Sequence, residues 1–130
     1  MSLSPFLYDD FYQLTTPPPA GTPPPAPRAV TMDLIFGSLG QSADYTVTLD
    51  TTTLFQDEKD SHKNIPLGDT ASLAGKTLKV VGNILDMPGT DNKLTLDFNI
   101  KGGVSPLTKP YSVTATTGDA VDISLIVQFI

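Results

Sequence analysis

The chain has 130 residues and a net charge of −6, which limits it to one domain of modest size and argues against nucleic acid or an anionic membrane as a partner. The seven lysines are scattered and Arg28 is the only arginine, so no basic patch forms along the sequence. The absence of cysteine excludes disulfides and thiolate metal sites.

The polar composition points to strands and turns. There are 17 threonines, and 13 aspartates against the single Glu58. Threonine suits a pleated surface and aspartate a turn, whereas glutamate, the helix former, is nearly missing.

Residues 1–28 read as an arm. The first part carries Phe6, Leu7, Tyr8, Phe11, Tyr12 and Leu14, a dense apolar and aromatic set. Ser4-Pro5 is a helix-start pair, and Leu7, Phe11 and Leu14 fall at helical spacing, so a short amphipathic turn is expected. These six residues form a candidate anchor for docking on the domain itself or on a partner. Asp9 and Asp10, and the lack of a basic start, are unlike a secretory leader. Residues 15–28, TTPPPAGTPPPAPR, hold seven of the twelve prolines and predict a stiff polyproline II spacer, ~40 Å long if extended.

Residues 29–130 alternate in the manner of strands. Val30, Met32, Leu34 and Phe36 share one face, as do Tyr45, Val47 and Leu49. Weaker strands are expected over Thr52–Phe55 and Asn64–Leu67, and a single helical turn over residues 70–76. Leu78 and Val80 are in phase, and a phase change at Val81-Gly82 suggests a bulge. Leu94, Leu96, Phe98 and Ile100 alternate with polar residues; Tyr111, Val113 and Ala115 follow the same pattern. The last strand places Val121, Ile123, Leu125, Val127 and Phe129 inward. Turn signals lie at residues 37–40, 57–63, 88–92, 102–103 and 118–119. Seven or eight such strands predict an all-β fold, a small antiparallel β-sandwich over 29–130 with the proline-rich arm in front. Ile126 and Ile130 stand on the other face of the last strand and mark a candidate oligomer face.

The chemistry-bearing residues are few. His62, the only histidine, falls in the charged stretch DEKDSHKN and reads as a solvated loop histidine, without a nucleophile in the pattern to serve. Asp57, Glu58 and Asp60 offer oxygens for a calcium site, which Asp86 and Asp91 would join if their loops met. Their spacing matches no calcium-loop pattern. No nucleophile elbow, zinc-protease motif or phosphate-cradling glycine loop occurs. No cofactor is implied and no compartment is legible. The expectation is a non-catalytic structural or assembly subunit, self-associating or bound to a protein partner through its arm. The competing expectation is a ligand- or calcium-binding module using the acidic loops.

Overall fold

A computed structural model describes residues 3–23, 25–37, 41–87, 93–116 and 118–130. The expected turns at residues 37–40 and 88–92, Asp91 included, fall largely outside that set. Nine strands are present among the described residues: β1 (Phe6–Tyr12), β2 (Ala29–Phe36), β3 (Gln41–Leu49), β4 (Thr52–Glu58), β5 (His62–Asp69), β6 (Thr77–Asp86), β7 (Lys93–Lys101), β8 (Leu107–Thr114) and β9 (Ala120–Phe129). They form a five-stranded sheet ordered β1-β9-β6-β3-β4 and a four-stranded sheet ordered β5-β2-β7-β8.

All pairings are antiparallel except β1 with β9, which is parallel. The fold is therefore all-β and sandwich-like. The count exceeds the seven or eight strands expected because the N-terminal segment is itself a strand rather than a helical turn. Its alternation decides this: Phe6, Tyr12 and Leu14 are buried, whereas Leu7 and Phe11 are 60% and 57% exposed. A turn of helix this short is marginal alone, whereas all seven residues lie in register along β9, which takes up the backbone groups on that side of β1.

The core follows period two. Leu94, Leu96, Phe98, Ile123, Leu125 and Val127 are buried, together with Val30, Met32, Leu34, Tyr45 and Val47. No bulge interrupts β6. Its register against β3 and β9 is unbroken, so residues 78, 80, 82, 84 and 86 all point inward. Val81 and Leu85 are simply apolar residues on the outer face. Gly82 is required where it stands, because a Cβ there would run into the Asp44 carbonyl and lie 2.6 Å from the Tyr45 Cα. Bulges fall instead where β2 meets β5 and β3 meets β4. Asn64 and Asp57 take left-handed φ values of 55° and 50° in the two outer strands, a conformation Asn and Asp tolerate.

Residues 70–76 form hydrogen-bonded turns without a helix, and the one α-turn bond, from the Leu73 amide to the Asp69 carbonyl at 3.1 Å, closes at the start of the segment. The Asp69 carboxylate accepts from the Ala71 and Ser72 amides at 2.9 and 2.7 Å, and Leu73 plugs the core. Two sheet edges are blunted by proline, Pro66 in β5 and Pro110 in β8, which cannot donate to an added strand.

Candidate functional surface

Two sets of residues singled out from sequence, the arm aromatics and the C-terminal isoleucines, meet on one sheet. β1 runs along β9 in register, Leu7 beside Ser124, Asp9 beside Ile126 and Phe11 beside Gln128. β9 is in turn paired with β6, which sets Val81 beside Ser124 and Lys79 beside Ile126. The outer face of the five-stranded sheet thus presents Leu7, Phe11, Val81 and Ile126 on three adjacent strands. Phe11, Leu7 and Val81 are more than half exposed, Ile126 is half-buried, and Ile130 continues the patch at 57% exposure. Neighbouring outward positions on β3 are Thr46 and Thr48, which add little charge.

The other residues of the arm are spent inward. Phe6 stacks on Tyr111 at 5.1 Å, Tyr8 meets the edge of Phe98 at 5.9 Å, and Tyr12 meets Phe129 at 6.0 Å. These rings close the side of the sandwich where β1 lies over β8. The Tyr111 hydroxyl donates to the Leu7 carbonyl at 2.7 Å, covering part of the free edge of β1. Burial pushes the Tyr111 phenol up, with Tyr8 beside it adding to the shift, so it remains a donor. Past the end of β1 the pairing continues: the Ile130 amide donates to the Tyr12 carbonyl and the Leu14 amide to the Ile130 carbonyl. A cavity of about 210 Å³ opens beside β1, walled by Tyr8, Phe11, Tyr12, Val104, Pro106 and Leu107.

The acidic stretch is tied together by local contacts. Glu58 Oε1 accepts from the Lys59 and Asp60 amides at 2.9 and 3.3 Å, and its other oxygen lies 3.2 Å from His62 Nε2. The two backbone amides, then the imidazole, hold the Glu58 carboxyl below the usual range. His62 is not a free loop residue. It opens β5, half-buried and stacked on Phe55 at 4.6 Å. The Asp60 carbonyl accepts from the buried Tyr45 hydroxyl, and Asp57 is exposed at the bulge. Among the described residues no three His, Cys, Asp or Glu side chains come together as a metal-ligand set. Asp86 lies on the inner face at the end of β6, where its carboxylate has no hydrogen-bond partner among those residues.

One buried acid was not singled out from sequence. Asp33, on β2, accepts from the Asn64 amide at 2.8 Å and from Asn99 Nδ2 at 3.4 Å, with Lys101 Nζ at 3.6 Å. The Asn64 amide is the main cause of its lowered pKa; Asn99 and Lys101 act in the same direction against the cost of burial. Its position on a strand's polar phase hides it, because only the β5 bulge brings an unpaired amide to meet it.

Comparison with known proteins finds no matching family model, no matching curated protein and no matching solved structure.

Proposed function

We propose that the protein is a non-catalytic assembly subunit that self-associates through the outer face of its five-stranded sheet. The observation that carries this reading is the set Leu7, Phe11, Val81 and Ile126, spread over three adjacent strands between Ser124, Gln128 and the Asp9–Lys79 pair, and its charge pattern. Ile126 has Asp9 on one side and Lys79 on the other, each one strand away. Two such faces related by a two-fold axis along β9 would set Asp9 of each copy against Lys79 of the other, an isologous and self-complementary contact. An apolar patch of this kind on a chain with net charge −6 is otherwise costly to leave in water.

Sedimentation tests the reading. The full chain is expected to run as an oligomer. Val81→Asp with Ile126→Asp should run as a folded chain at the single-chain mass of 13.8 kDa, with a melting temperature that no longer depends on protein concentration. Lys79→Asp alone should weaken association, and adding Asp9→Lys should restore it. A wild-type chain that stays monomeric at high concentration, and whose melting temperature rises with millimolar calcium, would return the binding-module reading in its place.

A further inference from the structure

We infer that β1 is an exchangeable strand: in the assembly, the segment Phe6–Leu14 lying against β9 of one subunit belongs to a second copy of the chain. This rests on the self-association proposed above and names how one subunit holds the next.

The first ground is the placement of the linker's ends. On the arm side, the Val104 amide donates to the Gln13 carbonyl at 3.0 Å and the Gly103 amide to the Tyr12 hydroxyl at 3.0 Å. On the other side, Gly102 lies against the Ala29 carbonyl and the Val30 Cα, and Arg28 Nη2 donates to the Gly103 carbonyl at 3.3 Å. Both ends are therefore pinned to one three-residue stretch, Gly102–Val104, on the order of 10 Å apart. Three or four residues would close that gap. The chain uses the whole of residues 15–28, which would span ~40 Å as polyproline II.

The second ground is what the linker does with its surplus length. It doubles back. The Thr22 amide donates to the Pro19 carbonyl at 3.0 Å, and Gly21, at φ 83°, takes the left-handed position of a type II turn. Thr15, Thr16 and Pro18 of one limb and Pro25 and Pro27 of the other then line one shallow cavity with Thr70 and Ala71. Every described residue from Thr15 to Ala29 is exposed. None of the described linker residues is buried in this closed form, so opening it forfeits little, and polyproline stiffness favours the straight form over the hairpin.

The third ground is the contrast with β1. Phe6, Tyr12 and Leu14 are buried, so an empty β9 edge is expensive and some copy of the segment must fill it. Closed and exchanged forms make the same β1 contacts. Their balance then rests on the linker and on concentration, the usual condition for exchange of an identical element between protomers.

The cysteine-free chain allows a direct test. Leu7 and Ser124 are register partners across β1 and β9, and both point outward. A Leu7→Cys chain and a Ser124→Cys chain of different tagged length are unfolded, mixed, refolded at assembly concentration and oxidised. Exchange predicts a covalent heterodimer on a non-reducing denaturing gel, and a ladder of covalent oligomers from the L7C/S124C double variant. If the double variant closes only on itself and the mixture gives no heterodimer, exchange is overturned. Sedimentation of the wild type on the same preparation separates the two proposals. An oligomer with only intramolecular disulfides keeps the assembly reading and removes exchange; a monomer with intramolecular disulfides removes both.

Discussion

Asp33 shows how much a single buried acceptor can hold. It satisfies the amide that the β5 bulge leaves unpaired, and removing it takes away the acceptor which that part-buried amide has in the fold. Asp33→Ala should cost about 1–3 kcal/mol at neutral pH, read from urea midpoints. Because its folded pKa is depressed, the stabilisation is present above the ordinary carboxylate value near ~4 and is lost as pH falls through the lower folded value. The gap between wild type and Asp33→Ala should therefore narrow below about pH 4. A gap that stays constant down to pH 2 would mean the carboxylate charge plays no part. Gly82 makes the opposite kind of demand, for the absence of a side chain. Gly82→Ala forces β3 and β6 apart at Tyr45, and a loss of ~1–3 kcal/mol in the same urea assay is the expected outcome. A neutral result would show that the two strands can separate there without loss.

At the scale of the element, β1 carries the sharpest test, because its phase decides which residues matter. The helical spacing of Leu7, Phe11 and Leu14 is real in the sequence, but so is the alternation of Phe6, Tyr8, Tyr12 and Leu14. Over nine residues the two periods cannot be separated by pattern alone. The unpaired edge of β9 selects the strand, since all seven residues of β1 lie in register along it and its inward backbone groups find partners there. Phe6→Ala should accordingly cost about 3–5 kcal/mol, whereas Phe11→Ala should change stability by less than ~0.5 kcal/mol. The reverse order of the two effects, measured by denaturant melts at low protein concentration, would restore the helical stripe. The acidic stretch teaches a related lesson. Asp57, Glu58 and Asp60 look alike in sequence, yet only Glu58 is placed to accept the two amides of the turn that follows it.

For the whole molecule, the arm and the sandwich share one core, and that has a measurable consequence. Deleting residues 1–28 removes the burial of Phe6, Tyr12 and Leu14 and bares the β9 edge, so the melting temperature should fall by several degrees or more. The same deletion should abolish the proposed assembly, since it takes away Leu7, Phe11 and the exchangeable strand together. An unchanged melting temperature would show that β1 does not complete the core.

What the sequence determined by itself is the part written in short-range period: the strands of residues 29–130, the inner faces of those that alternate cleanly (β6 past Val81 is the exception), and the all-β class that threonine and aspartate usage already implied. Leu94 to Ile100 and Val121 to Phe129 could be assigned inward because alternation binds each residue to its neighbours two positions away. Tertiary structure alone decided what depends on meetings between distant segments. It set β1 parallel to β9, it brought Leu7, Phe11, Val81 and Ile126 onto one face from three separated strands, and it pinned both ends of the proline-rich linker to Gly102–Val104. None of these has a local pattern, because each is fixed by which edge is left open once the other strands have paired.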